Sequence, residues 1–130
     1  MTPDINKSIL VLVLMILAHF IADYTLQGWL AQAKQKKYWE TYDKKYKYDY
    51  IAALICHSAY WAIIVFTPIM YFSYAELNWL WISLPANIVI HYFVDDLKAN
   101  KLKINLIVDQ LIHLAQIIIT WLLWLLLINL

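Results

Sequence analysis

The chain has 130 residues, of which 64% are hydrophobic and 15% are charged, and its formal net charge is +1. Soluble domains use about 45–50% apolar residues, so we expect lipid to be the main solvent of so short and apolar a chain. The small charge gives no reason to expect nucleic-acid binding. A single cysteine excludes an intramolecular disulfide, and a single glycine excludes glycine-rich phosphate loops.

Four apolar segments follow one another along the chain, over about residues 5–33, 49–70, 77–98 and 104–130. Each is long enough to cross a hydrocarbon core of about 30 Å as a helix. Helices satisfy their backbone hydrogen bonds within one segment, as lipid requires. We therefore predict an all-α integral membrane protein, in which residues 1–130 form a single domain of four antiparallel transmembrane helices.

The lysines predict the orientation of these helices. Nine of the ten lysines lie in the two connections that follow the first and third segments: Lys34, Lys36, Lys37, Lys44, Lys45, Lys47, Lys98, Lys101 and Lys103. In an antiparallel four-helix arrangement both connections emerge on the same side, which the positive-inside rule makes cytoplasmic. We therefore expect a multi-pass protein of the inner (plasma) membrane, with lysine-rich loops in the cytoplasm and both termini outside.

Histidines and aspartates recur four residues apart on three of the predicted helices. Together with one histidine early in the second helix, they are His19 and Asp23, His57, His91 and Asp95, and Asp109 and His113. A spacing of four puts two side chains on the same face of a helix. Because the predicted helices alternate in direction, all seven residues fall at a similar depth below the lysine-rich face. We expect them to share one site.

This residue set predicts a metal site. Charged side chains inside a bilayer are costly unless they are paired, hydrated or bound to cations. Imidazole and carboxylate together suit zinc, manganese or iron. Seven candidate ligands exceed the four that one tetrahedral zinc ion needs, so either one or two divalent ions fit. With one ion, some aspartates would orient metal-bound histidines instead.

Four runs in the sequence, HFIADYTLQ, CHSAYW, IHYFVDDLKA and VDQLIHL, resemble the recurring blocks of a bacterial family of small membrane proteins catalogued as domain of unknown function 3307. The family pattern falls here on His19, Asp23, Leu26, Gln27, His57, His91, Asp95, Lys98, Asp109, Gln110 and His113. The resemblance covers nearly the whole chain, except the long lysine- and tyrosine-rich loop after the first helix, and it implies no activity. A more distant likeness, in residue type and setting, is to YdjM-type membrane-bound metal-dependent hydrolases.

We therefore expect a metal-dependent hydrolase that acts on a lipid-linked or amphiphilic substrate at the cytoplasmic interface. Metal-activated water would be the nucleophile. Asp23 or Asp95 would act as general base, and Lys98 would bind a phosphate or stabilise developing negative charge.

Two other functions use the same residues. A divalent-metal or proton-coupled transporter, working as a homodimer, would use them as a relay. A non-catalytic membrane scaffold would use them as a structural His–Asp network that holds the helices together. The outer halves of the first, second and fourth helices are nearly all apolar, which counts against a transport path.

Overall fold

The computed structural model describes residues 4–72 and 79–127, with Leu80 described by its backbone alone. Within these ranges all regular structure is helical, which confirms the predicted all-α class. The helices are α1 (Ile5–Phe20), α2 (Leu30–Ala33), α3 (Lys36–Trp39), α4 (Asp49–Phe72), α5 (Leu80–Ala99) and α6 (Leu106–Leu127), with a π-helical segment at Ile21–Thr25 and a 3-10 turn at Lys44–Tyr46. The predicted start of the third helix at 77 and end of the fourth at 130 lie outside the described residues.

Three stretches are long and apolar enough to cross a membrane: Ile5–Thr25, Lys44–Phe72 and Leu106–Leu127. Their outward faces carry large exposed apolar side chains, such as Leu17 on α1 and Leu111 on α6. Lipid can solvate such faces, and water cannot do so cheaply. α5 has 20 residues and is long enough. Its aspartates and other polar side chains lower its mean hydropathy, so it is not among these three stretches.

The predicted first helix over 5–33 is wrong beyond residue 25. After α1 the backbone widens into the π-helical segment, where the Leu26 N–H bonds to the Ile21 carbonyl at 2.9 Å. Gly28 then takes a positive φ of 46°, a conformation that glycine adopts without the steric cost of a Cβ. The chain restarts as the separate helix α2, which contacts α4. Because of this break, Lys34 lies next to α5, where it contacts Asp95.

The long helices pack in a ring around an apolar core. α4 contacts both α1 and α5, and α6 contacts the same two helices. Buried side chains from three of the helices fill the centre, among them Val11, Trp61, Ile117 and Trp124. The polar residues of the ring gather next to this core, around Trp61.

Candidate metal centre

The seven predicted ligands are all buried and come together in the interior of the bundle. Each exposes 6% or less of its surface. α1 and its π-helical extension supply His19 and Asp23, α4 supplies His57, α5 supplies His91 and Asp95, and α6 supplies Asp109 and His113. Four separate parts of the chain therefore contribute to one cluster.

Asp23, His57 and His91 form the first group that could hold a metal ion. Their ligand atoms all lie within 4.8 Å of one another. The two Nε2 atoms are 3.2 Å apart, and Asp23 Oδ1 lies 3.3 Å from His57 Nε2 and 3.9 Å from His91 Nε2. Ligands at about 2.0–2.1 Å from a tetrahedral ion are separated by about 3.3 Å. The group is therefore close to the required size.

His91, Asp95 and His113 form a second group of the same kind. Asp95 Oδ1 lies 3.4 Å from His113 Nε2 and 3.8 Å from His91 Nε2, and the rings of His91 and His113 stack with centroids 4.1 Å apart. Asp109 Oδ1 adds a further contact to His113 Nε2 at 3.4 Å. His91 belongs to both groups, and its Nε2 has one lone pair, so that nitrogen serves one ion at a time.

Several buried polar atoms of the cluster have no hydrogen-bond partner within the described part of the chain. They are Asp23 Oδ1, His57 Nδ1, His91 Nδ1, Asp109 Oδ1 and both ring nitrogens of His113. Asp23 Oδ1 and His113 Nε2 have neighbours at 3.3–3.4 Å, but these contacts lack the alignment of hydrogen bonds. Buried polar groups are nearly always paired. A cation would satisfy the two carboxylate oxygens and the Nε2 lone pair of His113, so this residue set fits a metal ion. It would leave the Nδ1 atoms as they are, because the histidines face one another and the aspartates through Nε2.

His19 is held differently from the other histidines. Its Nδ1 accepts a hydrogen bond from the Trp61 indole N–H at 2.9 Å, and its Nε2 lies 3.0 Å from Gln110 Oε1. An indole N–H can only donate, so the proton of His19 is on Nε2, which donates to Gln110. Both nitrogens are therefore occupied by protein partners. In this arrangement the predicted ligand His19 contacts the cluster but belongs to neither of the two groups of close ligand atoms.

Two lysines neutralise two of the carboxylates. Lys34 Nζ lies 2.6 Å from Asp95 Oδ2, and Lys98 Nζ lies 2.7 Å from Asp109 Oδ2. The predicted catalytic residue Lys98 thus reaches the cluster through Asp109 of α6. Lys34 was missed by the sequence analysis, because a continuous first helix would carry it past the cluster and into the loop.

Gln110 and Trp61 complete the surroundings of the cluster. The Gln110 amide donates to Asp109 Oδ2 at 3.0 Å and to Asp23 Oδ2 at 3.4 Å. The Trp61 ring stacks on His91 with centroids 4.1 Å apart. Trp61 is fully buried and belongs to the apolar core, so it holds His19 and His91 against that core. Trp61 ends the run CHSAYW and lies four residues after His57, a spacing that places both side chains on one face of α4.

A cavity of about 330 Å³ reaches the cluster from the lysine-bearing side. Asp95, Lys34 and Lys98 all line it. Asp95 is 2% exposed and lies within 3.2 Å of His57 Nε2. The cavity therefore gives water and solutes a route to a carboxylate of the cluster.

Comparison with known proteins gives a family and no activity. The family described as "Protein of unknown function (DUF3307)" matches residues 11–130, a range that contains all seven histidines and aspartates of the cluster. No curated protein and no solved structure matches the chain. The likeness to YdjM-type hydrolases therefore stays a resemblance of residue type and setting.

Proposed function

The chain belongs to the DUF3307 family, and because that family is described only as of unknown function, we propose an activity from the site itself. The protein is a membrane-embedded metal-dependent hydrolase that acts on a lipid-linked or amphiphilic substrate. The observation that carries this proposal is the buried cluster of four histidines and three aspartates, which an open cavity reaches at Asp95.

The proposal includes a topology. α5 crosses the membrane together with the three more apolar spans, so that four antiparallel helices place both lysine-rich connections in the cytoplasm. The polar side chains that lower the apolar content of α5 are mostly buried: Asn87, His91, Asp95 and Asp96. Lipid does not meet these groups, so a span of this composition is acceptable inside a bundle. The cluster then lies near the cytoplasmic face of an inner membrane.

We assign the ion to Asp23, His57 and His91. Two histidines and one carboxylate, with a fourth position open, are a common ligand set of catalytic zinc. Asp23 is paired through Oδ2 with the neutral Gln110 amide at 3.4 Å, whereas the charge of Asp95 is already neutralised through Oδ2 by Lys34 at 2.6 Å. The first group is therefore the freer one. An ion at His91, Asp95 and His113 would take His91 Nε2 away from the first group, so the two groups are alternatives when His91 binds through that atom.

The remaining residues then have separate roles. A divalent ion supplies Lewis acidity and activates water at neutral pH. Asp95 lines the cavity beside His57, so it is better placed than Asp23 to accept a proton from an attacking water. The Lys98 side chain is 33% exposed, so it can move toward the substrate and stabilise the negative charge that develops there. Asp109 and Gln110 hold Lys98 and Asp23 in position.

The test uses the full chain in lipid nanodiscs, prepared without chelator. We expect hydrolysis of at least one member of a panel of phosphoester and amide lipids, together with stoichiometric metal. His91→Ala should abolish both, because His91 belongs to both ligand groups. Asp96→Asn is the matched control: Asp96 is adjacent to Asp95 in sequence but pairs with Lys101 at 3.0 Å. Hydrolysis by metal-free His91→Ala protein would refute the proposal.

One observation favours the scaffold as a second candidate. Lys34 and Lys98 already neutralise Asp95 and Asp109 without a metal, as a purely structural network would require. A scaffold predicts that the purified protein contains no stoichiometric metal and that His91→Ala changes only its stability. The transporter has less support, because the core beyond Trp61 is filled by buried apolar side chains such as Val11, Ile69 and Trp124.

A further inference from the structure

The cavity above Asp95 carries two cations on a polar wall. Lys34 approaches from the end of α2 and Lys98 from the last turn of α5, while Gln27 and Gln35 also line the space. Lys34 exposes only 9% of its surface. A lysine buried to this extent loses hydration that its ion pair must replace. The Gln27 and Gln35 amides already donate to backbone carbonyls, so the two ammonium groups that line this cavity of about 330 Å³ are its groups suited to an anion.

The net charge of the cluster also indicates that the cavity binds an anion. Asp23, Asp95 and Asp109 face Lys34 and Lys98, which leaves one negative charge when the histidines are neutral. One divalent ion would reverse this to an excess of one positive charge, and two ions would increase the excess further. An uncompensated buried charge is costly. A metal-loaded site therefore favours a bound anion, and the cavity is where one can enter.

The ion pairs also show how the two lysines can bind that anion. Each lysine holds the Oδ2 atom of an aspartate whose other oxygen contacts His113 Nε2. A divalent ion in the cluster would compete with the lysines for these carboxylates. Both ammonium groups line the cavity already, so they can exchange a carboxylate oxygen for an oxygen of a bound anion without entering a new environment. Lysine is a common ligand of phosphate.

Part of the cavity lining is apolar and includes one unusual backbone conformation. Ala31, Ala99 and Leu102 line it together with the polar residues. Leu102 is 81% exposed and has φ 52°, a left-handed conformation that costs a non-glycine residue about 1–2 kcal/mol. The turn that holds it is closed by the Lys103 N–H bond to the Leu97 carbonyl at 2.9 Å. An apolar side chain is thus presented at the mouth of a cationic cavity, which suits an amphiphile.

We propose that this cavity binds a phosphate group, held by Lys34 and Lys98 beside Asp95, and that phosphate is the polar group of the substrate. The inference deepens the proposed function, and its substrate part rests on that function. The phosphate can belong to a lipid headgroup or can be free in solution. The two sources share the same chemistry at the lysines and differ at Leu102, which only a lipid would contact.

The test measures binding of inorganic phosphate and of dihexanoyl phosphatidic acid to the zinc-loaded full chain in nanodiscs of neutral lipid. We expect Lys98→Gln to weaken binding roughly tenfold or more, as loss of a hydrogen bond to a charged group implies. Lys34→Gln should act in the same direction. Lys101→Gln is the matched control, because Lys101 lies three residues away and pairs at the surface with Asp96; it should leave binding unchanged.

The outcomes distinguish the sources and separate this proposal from the proposed function. Binding of both probes, with Leu102→Ser weakening only the phosphatidic acid, supports a lipid phosphate. Binding of inorganic phosphate with no effect of Leu102→Ser supports a free phosphate. Equal weakening by Lys98→Gln and Lys101→Gln would show non-specific attraction and overturn the proposal. A protein that holds metal and hydrolyses lipids but binds neither probe would also overturn it, while leaving the proposed function intact.

Discussion

His57 and His91, on different helices, face each other through their Nε2 atoms at 3.2 Å. Either one nitrogen donates to the other, or both direct lone pairs toward a shared cation. Neither Nδ1 atom has a hydrogen-bond partner among the residues that the structure describes, so no contact there fixes the tautomer of either ring. Asp23 Oδ1 completes a triangle with the two nitrogens. A bound divalent ion accounts for all three contacts at once.

The contrast between His19 and His91 gives the first prediction. His19→Gln should retain stoichiometric metal, because both nitrogens of His19 are occupied by Trp61 and Gln110, whereas His91→Ala should lose it. Elemental analysis of the two variants in the same detergent measures the difference. Loss of metal from both variants to the same extent would instead make His19 a ligand, as the sequence pattern alone suggests.

The second prediction concerns the break after α1. Gly28→Ala should lower stability by about 1–2 kcal/mol, because the Ala Cβ disfavours a positive φ. Gly28→Asn should cost less, since asparagine tolerates this conformation better. Around a Cβ at this position the nearest atom is the Leu26 carbonyl oxygen at 4.0 Å, so a steric clash does not complicate the comparison. Thermal unfolding in detergent gives the order, and equal melting temperatures for all three proteins would contradict it.

The third prediction compares a buried ion pair with an exposed one. Lys34→Gln leaves Asp95 buried without its ammonium partner, and breaking a buried pair in this way costs about 3–5 kcal/mol. Lys101→Gln removes a lysine that is 52% exposed and pairs with Asp96, which should cost no more than about 1 kcal/mol. Thermal unfolding of the chelator-treated proteins measures both. A destabilisation as small for Lys34→Gln as for Lys101→Gln would show that the contact with Asp95 does not stabilise the fold.

The fourth prediction tests whether α5 crosses the membrane. Two single-cysteine variants, Lys45→Cys and Lys103→Cys, are each made in a Cys56→Ser background. Neither should react with a membrane-impermeant maleimide in intact cells, and both should react after the cells are opened. If only three helices cross, residues 45 and 103 lie on opposite sides, and one of them reacts in intact cells. The two cysteine sites therefore distinguish four spans from three, whichever face is cytoplasmic.

The membrane setting and the cluster followed from simple patterns. The length of the apolar segments predicted the long helices. The spacing of four residues predicted that His91 shares a helix face with Asp95, and Asp109 with His113. The burial of these residues agrees with the cost of leaving them in lipid. These patterns depend on residues that are close in the sequence of one helix, so they are visible without knowledge of how the helices pack.

The parts that could not be predicted depend on contacts between distant residues. The π-helical segment and the turn at Gly28 break a segment that its apolar content predicts as one continuous helix, and this break lets Lys34 reach Asp95, 61 positions later. The role of His19 depends on Trp61 of α4 and Gln110 of α6. Spacing within a helix carries no information on either contact, so a ligand and a supporting residue look alike in the sequence.

The most direct test of the metal centre is X-ray absorption spectroscopy at the metal edge of the full chain purified without chelator. Zinc, manganese or iron at the Asp23, His57 and His91 group would show nitrogen and oxygen ligands at about 2.0–2.2 Å, with the outer-shell scattering of two imidazoles. His57→Ala should remove one imidazole or the metal itself. Protein without stoichiometric metal, or metal without imidazole ligands, would contradict the account.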